Sequence, residues 1–151
     1  MIAEITTILY ILSVSNESIN NGTLQKGTAI SRVDDDDDGL QVYKFFNYLT
    51  SDSTDSIEPT SFKEENLYLV TGKFTIARDD STDVRIISSV HLSLNKDDVP
   101  IMKPTIHLLG KIIDSAQLTE AGYALQIQVK PYLSKEQFHP FLVNLTHPEN
   151  G

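Results

Sequence analysis

The chain has 151 residues, with 12 Lys plus Arg against 21 Asp plus Glu, a formal net charge of −9 and 40% hydrophobic content. That length and content suffice for one domain or two very small ones, and a charged fraction of 22% with regularly spaced apolar segments argues against global disorder. The acidic balance counts against extended phosphate contact, although binding depends on the local field of one face and not on the sum.

There is no cysteine, hence no disulfide framework, no thiolate metal site and no cysteine nucleophile. A small all-β domain without such staples points to a reducing, intracellular setting, the nucleus included. Three glycosylation sequons, at Asn16, Asn21 and Asn144, stand against that, but such triplets arise by chance in a chain this rich in Ser and Thr.

The apolar stretch from Ile2 to Val14 reads as a first strand. Glu4 replaces the basic region of a signal peptide, Thr6 and Thr7 interrupt the apolar run, and the stretch is too short to span a bilayer. Asn16 to Gly22 is turn-rich, with Asn21-Gly22 a strong turn dipeptide. A short strand follows at Thr28 to Val33. The run Asp34 to Asp38 with Gly39 predicts a loop, because adjacent carboxylates repel one another in a compact strand.

Leu40 to Leu49 resumes with strand-favouring aromatics, and Thr50 to Glu65 reads as a polar loop around Pro59. Ser61 to Glu64 has capping-box spacing and predicts one helical turn. Leu67 to Arg78 and Val84 to Leu94 are the arms of a hairpin, with Asp79 to Asp83 as its turn. Beyond an exposed connection around Asp97 to Pro104, strands are expected at Thr105 to Asp114, Gly122 to Leu133 and Phe138 to Thr146, with a turn at Ser115 to Ala121. Tyr123, Leu125, Ile127 and Val129 alternate with Ala124, Gln126, Gln128 and Lys130, the pattern of a half-buried strand. Gly72 and Gly110 fall inside strand patterns, where a glycine marks a bulge or a bend.

Strands in this order, with a loop where a helix would stand between the third and fourth, resemble the oligonucleotide/oligosaccharide-binding (OB) fold. The segment from Tyr68 through Thr71-Gly72-Lys73 to Ile76 is similar to strands of single-stranded-DNA-binding proteins of the replication protein A type. The segment from Lys103 to Pro148 also resembles uncharacterised fungal proteins associated with mobile elements. The resemblance implies an all-β, Greek-key OB-like barrel or sandwich of seven to eight strands with little helix. It implies one barrel unit over residues 1–98, with residues 99–151 as additional strands or an incomplete second unit. It departs from that family in its acidic charge.

Sequence-tolerant single-strand binders stack bases on aromatic rings and neutralise phosphates with Lys or Arg. In strict alternation Tyr43 and Phe45 share one face of their strand, while Lys44, Phe46 and Tyr48 share the other. Tyr68, Lys73 and Arg85 are candidates to join the second face from neighbouring strands, with Lys111, Lys130 and Tyr132 an equivalent set in the second half. The competing reading makes the aromatics core and the cations solvated. Asp34 to Asp38 lack EF-hand spacing and read as a diffuse anionic loop and not a metal site. His91, His107, His139 and His147 form no ligand-spaced pair, although His91 and His107 are candidates to face each other across adjacent strands. No activated nucleophile or phosphate loop is written in the chain.

The expected function is a non-catalytic module for single-stranded nucleic acid, without a cofactor and without membrane contact. The alternative is a protein-interaction or assembly domain that uses its acidic loop or an open strand edge. Lys130-Pro131 and His139-Pro140 are expected to block edges in part, since proline cannot donate to a ladder.

Overall fold

Alternation builds the first strand. In β1 (Ala3–Ile19), Ala3, Ile5, Thr7, Leu9 and Ile11 point inward and are buried, while Glu4, Thr6, Ile8 and Tyr10 lie half-buried on the other face. β-branched residues at such positions suit a pleated surface packed on one side. The computed structural model describes residues 3–34, 39–50, 60–120, 122–130 and 140–147. Within them run β2 (Gly22–Arg32), β3 (Leu40–Thr50), β4 (Leu67–Ile76), β5 (Thr82–Leu92), β6 (Thr105–Leu108), β7 (Lys111–Ile112), β8 (Gln117–Thr119), β9 (Gly122–Val129) and β10 (Phe141–His147). The single helical element among the described residues is a 3-10 turn at Lys96–Asp98.

Five strands close on themselves. β1 pairs antiparallel with β4 from Glu4↔Lys73 to Tyr10↔Leu67, then with β2 from Tyr10↔Ile30 to Ile19↔Gly22. β2 pairs with β3, β3 with β5 and β5 with β4. The ring β1-β2-β3-β5-β4-β1, with β3 and β5 parallel from Tyr43↔Thr82 to Phe46↔Arg85, is an all-β, Greek-key, OB-like barrel. Phe45, Leu9, Ile11, Val70 and Val84 fill its interior.

Two irregularities bend the wall. Leu12 is an extra residue in β1, where the register with β2 shifts between Ile11 and Ser13. The second shift falls opposite Thr71 and Gly72 of β4, where Ile87 is the extra residue of β5. A Cβ on Gly72 would lie 2.5 Å from the Arg85 carbonyl oxygen, so only glycine lets β5 approach this closely.

The segment before β4 closes one end of the barrel without a helix. Phe62 is buried, its ring edge-on to Phe45 at 5.1 Å and tilted on Tyr68 at 4.5 Å. Gln25 holds it there. Its Oε1 accepts the Phe62 N–H at 2.7 Å and the Asn47 Nδ2 at 3.1 Å, and its Nε2 donates to the Phe62 carbonyl at 3.1 Å. Asn47 Nδ2 also donates to the Thr60 carbonyl at 2.9 Å. The helical turn expected at Ser61 to Glu65 does not form, because the buried amides of Gln25 and Asn47 take the backbone groups of residues 60–62. Farther along, Glu65 N–H donates to Ile11 O and Ile11 N–H to Asn66 O, a seam along β1.

Other boundaries differ for equally local reasons. β1 and β2 run up to a two-residue turn at Asn20-Asn21, with Asn21 at φ 69°, so Asn16 to Ile19 are strand and not turn. β2 therefore starts six residues before the expected Thr28. The Thr105–Asp114 segment is cut at Leu109-Gly110, where the chain passes from the barrel sheet into a second sheet. Gln117–Thr119, expected as turn, is β8, paired with Gly122 to Ala124. One split strand and one added strand make ten instead of eight.

The strands after residue 98 do two things. β6 lines up beside the first half of β1, from Ala3↔Leu108 to Thr6↔Thr105. β10, β9 and β7 form a second sheet in that order, with β8 also on β9. Its Ile127 and Val129 are buried in the same apolar cluster as the barrel core, with Leu125, Phe141 and Val143 packed against it. Phe141 meets Phe74 of the barrel at 5.7 Å between ring centroids.

Candidate nucleic-acid interface

The alternation in β3 comes out as the sequence predicts. Tyr43, Phe45 and Asn47 are buried in the barrel, whereas Lys44 is exposed and Phe46 and Tyr48 are half-buried on the outer wall. Register then carries a row of side chains across the sheet. Lys26 of β2 faces Phe46, Phe46 faces Arg85 of β5, Arg85 faces Lys73 of β4, and Lys73 faces Glu4 of β1. All five belong to the outward set of their strands. With strands about 4.8 Å apart, Lys26 and Lys73 lie roughly 14 Å from each other along the row.

Next to the row, the Arg85 guanidinium lies over the Tyr48 ring, 5.1 Å from its centroid. Tyr48 itself faces Leu24, which is buried beneath it on β2. A planar cation and a ring held in register form a flat surface of the kind a base stacks on. A cleft of ≈ 350 Å³ runs alongside, walled by Ser13, Ser15, Lys26, Thr28, Lys44 and Phe46.

Acids attend these cations. Lys26 Nζ is 3.2 Å from Glu17 and Lys44 Nζ is 3.4 Å from Asp79, with all four side chains largely in solvent. Exposed pairs of this kind are worth about 0–1 kcal/mol, so neither carboxylate holds its lysine firmly. The β4–β5 turn is more strongly acidic. Asp79 accepts hydrogen bonds from the Ser81 hydroxyl and, at 3.1 Å, from the Ser81 N–H. These bonds, with a smaller contribution from Lys44, bring its carboxyl down to about 2. A cleft of ≈ 980 Å³ between this turn and Pro140 to Leu142 is lined by Asp79, Asp80 and Asp83 together with Lys44 and Arg78, so acids outnumber cations there.

Of the residues singled out in the sequence, Lys44, Phe46, Tyr48, Lys73 and Arg85 come together on the outer wall. Tyr68 does not join them. It is buried, its hydroxyl accepting the Lys63 N–H at 2.9 Å and donating to the Ser61 carbonyl. Parity is the reason: Tyr68 shares its face with Val70 and Phe74, and Lys73 lies on the opposite one. Lys111 and Lys130 are exposed on the second sheet, where Lys111 faces Gln128, so they form a separate group. Tyr132, Pro131, His139 and most of the Asp34 to Asp38 run lie outside the described residues.

His91 and His107 do not face each other. His91 sits on β5 beside Tyr68 and Asn66, His107 on β6 opposite Glu4, and β4 and β1 separate the two strands. Sequence reasoning missed Lys26, because it falls between the turn expected at Asn16 to Gly22 and the strand expected from Thr28. The signal was present: counting back in twos from Thr28 puts Lys26 on the face shared with Ile30. It also missed Arg32, whose Nη1 donates to the Val99 carbonyl at 3.4 Å beside a cleft of ≈ 500 Å³ under Tyr10, Ile30 and Leu40.

Among the described residues no helix is long and apolar enough to cross a membrane. In comparisons with known proteins, no family model matches the chain and no curated protein matches its sequence.

Proposed function

We propose that the protein is a non-catalytic module that binds single-stranded nucleic acid on the outer wall of β2, β3, β5 and β4. The observation that carries this reading is the row Lys26–Phe46–Arg85–Lys73 with Tyr48 stacked under Arg85. Phe46 and the Tyr48–Arg85 pair receive bases, and Lys26, Lys44 and Lys73 receive phosphates on either side. In OB-like barrels the face of the second and third strands is a recurrent place for oligonucleotides. The net charge of −9 opposes long tracts and favours a short site in which few phosphates are neutralised.

Fluorescence anisotropy of a labelled single-stranded oligonucleotide, titrated at low and then physiological salt, tests this directly. Three neutralised phosphates give a slope of log affinity against log salt of about −2, by the ~0.7 per contact of single strands. Arg85→Ala is expected to weaken binding at least tenfold, since it removes a cation and the cover of Tyr48, about 1–3 kcal/mol. Lys111→Ala, on the second sheet, is expected to leave affinity unchanged. Absence of binding at low salt, or equal losses in the two variants, would sink the reading.

A further inference from the structure

Closure removes edges from the barrel, and the other short strands protect theirs. β6 has four residues and follows Pro104, β7 has two and β8 has three. β10 is different. It runs for seven residues at the end of its sheet, paired with β9 on one side, and no described strand pairs with its other side along Phe141–Thr146. It contains no Lys, Arg, Asp, Glu or Pro, the devices by which edge strands ordinarily prevent pairing. Pro140, expected to block this edge, stands one residue before the strand and leaves its N–H donors intact.

The face of this sheet that packs on the barrel is also longer than the barrel covers. Val129 and Ile127 are buried, yet farther along the same face Leu145 is 41%, Tyr123 50% and Leu118 60% exposed. Exposed apolar groups contiguous with a core mark an interaction surface.

We propose that β10 is a homodimer edge, pairing antiparallel with β10 of a second copy about a two-fold axis near Asn144. Three features fit a second copy. β10 itself carries no Asp, Glu, Lys or Arg, so edge-to-edge pairing of two such strands sets no charged side chains of the strand against each other even in a chain of net charge −9. Antiparallel pairing about Asn144 sets Val143 beside Leu145 of the other copy, so both inner faces join into one eight-stranded sheet. The reversal of direction also brings each barrel, which lies under the Phe141 end of its own sheet, next to the uncovered Leu145 end of the other.

The chain lacks cysteine, which makes the test clean. Light scattering and sedimentation of the intact protein are expected to give twice the chain mass. Thr146→Lys, which charges the edge at an exposed position, is expected to halve that mass with an unchanged circular dichroism spectrum, and Thr105→Lys on the β6 edge to leave it doubled. Asn144→Cys is expected to cross-link into a dimer on oxidation, since residues near the axis meet their own copies. A monomer at every concentration, a dimer indifferent to Thr146→Lys, or an Asn144→Cys that forms no cross-link would overturn the proposal.

Discussion

The two sheets spend their apolar residues differently. In the barrel, alternating residues on all five strands converge on one interior, and Leu9, Ile11, Ala29 and Phe45 lose all contact with water. The second sheet has the same alternation in β9, but its face is covered at one end only, so Val129 is fully buried and Tyr123, six residues earlier, is half exposed. Periodicity therefore states which side of a strand is apolar. Whether that side is covered depends on what the topology sets against it.

Substitutions can break this contrast, and the largest effect is expected in the barrel. Phe45→Ala removes a ring packed on Phe62 from a fully buried position and should cost about 3–5 kcal/mol in urea unfolding. In the Thr146→Lys background, where the edge stays unpaired, Leu118→Ala at the uncovered end of the second sheet should change stability by less than about 0.5 kcal/mol. Equal costs would mean that the exposed end is covered in solution.

Gln25→Leu is expected to fall between them, at about 1–3 kcal/mol, because it leaves the buried Phe62 N–H without an acceptor. Amide exchange would sharpen the result, with residues 60–66 opening before the strands do.

The smallest effect is expected at the β4–β5 turn. The Asp79 carboxyl is lowered to about 2, below its unfolded value near 3.9. Its contribution is therefore fully present above that unfolded value and is lost as the pH falls through 2. Titration followed by NMR should show the Ser81 amide shift moving in that window while signals of the barrel interior stay fixed. A midpoint at the ordinary carboxylate value would remove the Ser81 hydrogen bonds from the account.

Much of the barrel was legible because strand alternation is a local property. The inward set of β3 and an irregularity beside Gly72 could both be read from residue order, although the extra residue, Ile87, lies on the partner strand. The candidate interface was half legible, since Lys44, Phe46 and Tyr48 share a strand and parity settles their face. Tyr68 was misplaced although the same parity rule, applied along β4, sets it opposite to Lys73. What could not be read is which residues stand side by side. Lys26 and Arg85 flank Phe46 only because β2 and β5 are its neighbours, and that order arises from closing the ring. The Ser61 to Glu64 capping signal failed for a related reason: its competitor, Gln25, is remote in sequence and becomes adjacent only when the barrel forms.

The double role of β1 has a consequence for synthesis. Its second half can zip onto β2 as soon as β2 itself has left the ribosome, but its first half must wait for β4 and then, with Ala3↔Leu108, for β6. Until then the most apolar part of the strand waits without its neighbours. Folding of this kind is governed by distant pairings and is correspondingly slow, so Ile5 and Leu9 stay uncovered until β4 arrives.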